Sequence, residues 1–133
     1  MIKIKDYIRA GSLEEAYELN QKRSNVLAGG MMWLKMSSGN RNTVIDLSGL
    51  GLDQIEETED EFRIGCMCSL RQLELHKGLN QYFGGAFREC TRWIVGTQFR
   101  NSATVGGSVF GRFGFSDILT CMMVLDSYVE LYK

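Results

Sequence analysis

The sequence predicts an α+β fold in two lobes. A small parallel α/β lobe spans residues 1–52, and a second lobe, 53–133, joins a partial antiparallel sheet to helices. Three observations predict this. Strand-like and helix-like segments alternate through the first fifty residues, as parallel βαβ units require. Beyond residue 52, two short β-prone runs face each other across an acidic turn. In both halves, a serine three positions ahead of Glu or Gln marks a helix start.

Taken in order, Ile2 to Ile4 alternates as a strand. Ser12-Leu13-Glu14-Glu15 is a capping box, and the helix it opens puts Leu13, Ala16 and Tyr17 on one face. Asn25-Val26-Leu27-Ala28 reads as a short buried strand that runs into Gly29-Gly30, with a short helix expected through Met31, Met32, Trp33 and Leu34. Thr43-Val44-Ile45-Asp46-Leu47 is the next strand, closed by Ser48-Gly49. Residues 54–58 and 61–64 predict a hairpin across Glu59-Asp60. Ser69-Leu70-Arg71-Gln72 is a second capping box, opening a helix expected to end near Lys77-Gly78. The spacing of Ala86, Phe87, Cys90 and Ile94 predicts a helix over residues 83–96. Ala103-Thr104-Val105 reads as a strand ending on Gly106-Gly107. Ser116 caps an almost wholly apolar helix through Leu125, and residues 128–132 alternate as a last strand.

Composition narrows the function. The chain has 133 residues, 44% hydrophobic and 23% charged, which suits one folded unit and argues against disorder. A formal charge of −1 provides no basic footprint for nucleic acid. No apolar run approaches the roughly 20 residues of a membrane span, and the N-terminus lacks a signal-like stretch, so a cytoplasmic location is expected. There are fifteen glycines and no proline, where average usage would give roughly six or seven prolines. Glycine must therefore supply the special backbone positions. The single histidine, His76, excludes a multi-histidine metal site and reads as a surface residue near a helix C-terminus. Cys66, Cys68, Cys90 and Cys121 lack the paired spacing of a zinc set and read as reduced thiols.

Two glycine loops carry the functional signal. Val26, Leu27, Ala28, Gly29, Gly30 and Met31 take a strand into a turn without Cβ atoms, ahead of an expected helix start whose free N–H groups favour phosphate. Thr104, Gly106, Gly107 and Ser108 offer a second set, with two hydroxyls. Two such loops fit a ligand with two phosphates, although either glycine pair also reads as a simple tight turn. Neither is a Walker or G-x-G-x-x-G sequence.

Leu27-Ala28-Gly29-Gly30, Val44-Ile45-Asp46-Leu47-Ser48, Ile64-Gly65 with Ser69-Leu70, the long run from Gln98 to Ser108, and Ser116-Asp117 occur together in this order. The whole chain thereby resembles the FAD-binding domain of the molybdenum hydroxylases, such as xanthine dehydrogenase, aldehyde oxidase and the medium subunit of aerobic carbon monoxide dehydrogenase. The resemblance implies a vanillyl-alcohol-oxidase-like two-lobe fold holding FAD. It implies an oxidoreductase component that passes electrons from iron–sulfur clusters, through FAD, to NAD or oxygen. Its expected partners are the molybdopterin-binding and 2Fe–2S subunits of the same complex, and it carries no metal of its own. By the resemblance, Val26 to Trp33 (with Met32 between) lie along the pyrophosphate, and Thr104 donates its hydroxyl to phosphate. Gly106, Gly107 and Ser108 line the second loop, Asp117 hydrogen-bonds the cofactor, and Ile94 stands in the flavin pocket.

The residues also have plainer readings. Asp117 suits a helix first turn, Trp33 suits a core, and Arg100-Asn101 suits a turn. Phe110, Phe113 and Phe115, spaced by Gly111 and Gly114, read as a bent segment that either packs or meets the cofactor's ring. Met31 stands where the family carries Thr or His, and Ser108 where it carries Asn or Asp. Family domains also continue past the position of Lys133. An incomplete sheet would leave an open edge, so a dimer or larger complex is expected. The alternative is a relic that keeps the fold without FAD and serves as a scaffold.

Overall fold

The computed structural model describes residues 1–133. Strand β1 (Ile2–Arg9) pairs in parallel with β3 (Gly39–Asp46), from Ile2 opposite Gly39 to Arg9 opposite Asp46. On the other side of β3 lies β2 (Val26–Ala28), also parallel, giving the order β1-β3-β2. The central strand has Thr43, Val44 and Ile45 all buried, so both of its faces are covered. Helix α1 (Leu13–Asn20) contributes Ala16, which packs with Ala10 and Ile45 among Leu19, Leu47 and Leu50. β1 runs well beyond the expected Ile4. It is an edge strand, so Lys5, Asp6 and Tyr7 stay exposed without breaking the pairing.

The capping box at α1 is shifted by one residue. Ser12 Oγ accepts from the Glu15 amide at 3.1 Å, while Glu15 Oε2 takes the N–H of Gly11 at 2.7 Å. The second box is complete: Ser69 caps α2 (Leu70–Leu75), and Gln72 Oε1 accepts the Ser69 N–H at 2.7 Å. Ahead of it, β4 (Ile55–Glu57) and β5 (Phe62–Ile64) form the expected antiparallel hairpin.

Five further short helices follow: α3 (Lys77–Tyr82), α4 (Ala86–Thr91), α5 (Thr97–Ser102), α6 (Val105–Phe110) and α7 (Asp117–Val124). They enclose a core of Cys68, Leu70, Leu73, Leu79, Phe87, Ala103, Val105, Ile118 and Cys121. None of the helices is long and apolar enough to cross a membrane.

Several expected elements differ. The helix expected to end near Lys77-Gly78 stops at Leu75, and the residue at its C-terminus is, as expected, His76. It separates α2 from α3, and its Nδ1 accepts the Leu79 N–H at 3.1 Å as an N-cap. The expected helix over 83–96 is only α4. Gly84 and Gly85, at φ +59° and +83°, turn the chain before it, and Val95 at φ +52° reverses it afterwards. Ala103-Thr104-Val105 is no strand. A single bridge joins Thr104 to Ser69, and the Thr104 hydroxyl starts α6, so capping overrides the β-propensity of Thr and Val. Residues 128–132 form no strand either, because no neighbouring strand is present to pair with them. They are exposed; the Tyr128 hydroxyl donates to Glu61 at 2.7 Å and that of Tyr132 to Glu14 at 2.6 Å.

Candidate functional site

β2 delivers the chain to Gly29-Gly30 at the C-terminal end of the parallel sheet. A Cβ on Gly29 would fall on the Thr104 hydroxyl, and one on Gly30 would fall on the Ser102 carbonyl. The two glycines therefore let the segment 102–104 lie directly against the first loop, a closer constraint than ligand approach alone. The expected helix at Met31 is absent. Met31 instead takes φ +59°, in the left-handed region, and only one 3-10 turn, Leu34–Met36, follows. None of the six successive amides of residues 29–34 donates to an acceptor in the protein. Successive free amides around a turn of this kind make an anion-binding concavity.

The second loop is the reverse case. Its amides are already engaged: Val105 to Cys68 O and Gly106 to Cys66 O, both at 2.8 Å, Gly107 to Thr104 Oγ1 at 3.2 Å, and Ser108 to Thr104 O at 3.0 Å. The expectation that this loop offers backbone N–H groups is thus corrected, because the start of α6 consumes them internally. What remains is the Thr104 hydroxyl. Thr104 is 6% exposed; its oxygen accepts from Gly107, and its proton has no acceptor in the protein. Ser108 Oγ is turned back onto the Thr104 carbonyl at 3.0 Å. Gly106 is required by packing, since a Cβ there would stand 2.7 Å from the Cβ of Cys66.

Both loops open onto one cleft of about 160 Å³. Of the residues expected at the site, Leu27, Gly29, Gly30, Met31, Met32, Trp33, Thr104, Gly107 and Ser108 line it. Ala28 lines an adjoining cavity of about 300 Å³, which shares Gly29 and Met31 with the cleft and is walled by Ile4, Tyr7, Val44 and Asp46. Val26, Ile94, Gly106 and Asp117 line neither space. Val26 pairs with Val44 within the sheet, and Asp117 is exposed at the start of α7. Ile94 packs on the helical core and offers its carbonyl to Arg100 Nη1 at 3.1 Å.

Leu34, Ala103 and Gly111 line it as well, the first two without a sequence signal that marks them for the site. Phe110 and Phe113 also belong to the lining. The aromatic–glycine alternation between the second loop and α7 was the available signal.

The cleft carries no ionisable side chain in its wall. A buried ion pair joins α2 to α5, Arg100 Nε to Glu74 Oε2 at 2.8 Å, with Arg71 Nη1 on the other carboxylate oxygen at 2.7 Å. Burial pushes the Glu74 carboxyl up, but the hydrogen bonds from Arg100 and Arg71 outweigh it and hold the group below its ordinary value. The same balance holds Asp46 down, through bonds from the Tyr7 hydroxyl and from the Ser48 amide and hydroxyl.

The family described as the FAD binding domain in molybdopterin dehydrogenase matches residues 2–133. The chain is 26% identical over 131 residues to the 6-hydroxypseudooxynicotine dehydrogenase complex subunit alpha of Paenarthrobacter nicotinovorans, covering 93% of this chain and 44% of that protein. A chain of the Cu,Mo-CO dehydrogenase, in a cyanide-inactivated crystal form, superposes with a TM-score of 0.82. The identity is 22%, over 92% of this chain and 45% of that one. Quinoline 2-oxidoreductase from Pseudomonas putida 86 gives 0.70 at 16% identity, over 78% of this chain and 38% of that one. The chain thus spans about half the length of the curated relatives it matches. It belongs to the FAD-binding domains of the molybdopterin dehydrogenases, and its cofactor is FAD. The residues fit that group, with unpaired amides at 29–34 and an unclaimed Thr104 proton on one cleft, as a pyrophosphate requires.

Proposed function

We propose that this chain is the FAD-binding, electron-transfer element of a molybdenum hydroxylase-type dehydrogenase. In this reading it works beside molybdopterin-binding and 2Fe–2S subunits in the cytoplasm, and delivers electrons to NAD or oxygen. The observation that carries the reading is the convergence of six unpaired amides and the free Thr104 proton on one cleft. When bound, FAD supplies the electron uptake and release; the protein binds and orients it. Residues 29–34 would take the pyrophosphate oxygens through their N–H groups, which makes the thioether of Met31 no obstacle. Thr104 would donate its hydroxyl proton to one oxygen, held in aim by the Gly107 N–H on its lone pair. The uncharged wall would strengthen each of these contacts by keeping water and counter-charge away. Ile94 and Asp117 would act beyond the cleft, towards the parts of the cofactor outside it.

The test is the visible spectrum of the purified chain after incubation with FAD and passage through a desalting column. A retained flavin band at one equivalent supports the reading. A chain that is folded by circular dichroism and retains none overturns it.

A further inference from the structure

We propose that Trp33, braced by Phe113 and Phe115 at 52° and 60° to its plane, is an aromatic platform that stacks one planar heteroaromatic ring of the cofactor, adenine or isoalloxazine. The inference rests on reading the cleft as the FAD site. Trp33 is the hub. Its ring centroid lies 5.3 Å from that of Phe115, 6.0 Å from Phe113 and 5.8 Å from Phe99. Phe113 and Phe115 are stacked within 13° of parallel at 5.1 Å. Trp33 and Phe113 line the cleft.

The backbone is built to hold these rings there. A Cβ on Gly111 would stand 2.5 Å from the Phe113 ring, so only glycine lets that ring fold back over the chain. The next residue, Arg112, takes φ +50° to make the turn. A non-glycine residue in that region is uncommon and strained, which marks the turn as specified by more than chain connection. Despite this support, Trp33 remains 40% exposed and Phe115 62%. Clustered aromatic surface left open beside a polar concavity is the signature of a ligand site. With no charged side chain in the wall, the site suits a flat, neutral ring. A π-face offered to a π-face is the chemistry by which proteins hold bases.

The test uses the full chain in a Trp93→Phe background, which leaves Trp33 as the sole tryptophan of the two. FAD is titrated while Trp33 emission and the flavin visible band are both followed, and ADP is titrated in parallel. Saturable quenching of Trp33 is expected. Trp33→Leu (tested with the native Trp93) and Phe115→Ala should each weaken FAD binding about fivefold or more, the range of single base-stacking contacts. Phe115 is exposed enough for its truncation to leave folding intact. A visible band shifted in the parent and restored in the variants assigns the isoalloxazine. Parallel weakening of ADP with an unmoved band assigns adenine. If both variants bind FAD within twofold of the parent, the platform is overturned while the FAD reading stands. A parent that binds no FAD overturns both.

Discussion

The buried ion pair between Glu74 and Arg100 should behave as the anchor of the second loop, and removing one partner tests this directly. The Glu74 and Arg100 side chains are 9% and 7% exposed. Arg71, the other cation on Glu74, is 32% exposed and can turn to water. Glu74→Leu therefore strands one charge, that of Arg100. Arg100 would keep its bond to the Ile94 carbonyl and a long contact to Thr97 Oγ1, so the loss falls near the lower end of the range for a broken buried pair, about 3 kcal/mol. In a domain of this size that lowers Tm by about 10 °C. The double variant Glu74→Leu/Arg100→Met removes both charges, packs apolar volume in their place, and should recover most of the loss. Circular-dichroism melts and urea titrations of the parent, both singles and the double measure the coupling. pH adds a second axis. The folded Glu74 carboxyl sits below its unfolded value, so its stabilisation is complete above about pH 4.3 and is lost as pH falls through the folded value. The double variant should therefore lose stability less steeply in acid. A Glu74→Leu protein within about 1 kcal/mol of the parent, or a double variant no better than the single, would refute the anchoring argument.

Three further outcomes are expected. Thr104→Val removes both the cap of α6 and the free hydroxyl, lowering stability by about 1 kcal/mol and FAD affinity about tenfold, whereas Thr104→Ser keeps both; isothermal titration beside a melt separates the two effects. Gly30→Ala places a Cβ on the Ser102 carbonyl, so the loops must separate, with about 1–3 kcal/mol lost and flavin no longer retained on a desalting column. Burial, reinforced by neighbouring Cys121, pushes the Cys90 thiol up to about 12. The folded state then keeps a proton that the unfolded chain loses near pH 8.5, so stability falls as pH rises from there towards 12. Urea midpoints between pH 8 and 10.5 should show this decline. Cys90→Ala should flatten it in part, since burial also raises Cys66 and Cys68.

Elements whose information is local were legible in the sequence. Ser12, Ser69 and Ser116 each cap the helix their spacing announces. The hairpin across Glu59-Asp60 is where two β-prone runs placed it. Where the structure departs from that reading, a partner rather than intrinsic propensity decided: a local cap at Thr104, and a missing neighbouring strand for residues 128–132. Ala103-Thr104-Val105 has strand propensity, yet the Thr104 hydroxyl captures the Gly107 amide and starts a helix instead. Residues 128–132 alternate correctly but find no strand to join. At the site, the glycine pairs were visible as such, but their reason was not. Gly29 and Gly30 answer to Thr104 and Ser102, and Gly106 to Cys66, contacts separated by dozens of residues. The left-handed turn at Met31 carries no sequence signal at all, because methionine has no special preference for it.

In the proposed reading, that turn would let a chain with methionine at this position hold phosphate. A helix beginning at Met31 would have drawn some of the following carbonyls and amides into its own ladder. A helix start would still leave its first four N–H groups free; with φ +59° at Met31 all six of residues 29–34 are without an acceptor in the protein. In that reading the donors would be the backbone amides of the first loop and a hydroxyl of the second, with no side-chain cation in the wall. Since the shape depends on segment 102–104 resting where two Cβ atoms are missing, the cradle exists only while the two loops are docked. A ligand bound there stabilises the docked state in proportion to RT ln(1 + [L]/Kd). FAD at a hundred times its Kd should therefore raise the folding free energy by about 2.7 kcal/mol. The gain should vanish in Gly30→Ala, where the loops cannot dock. A gain that persists in Gly30→Ala would show that the ligand is held without the second loop.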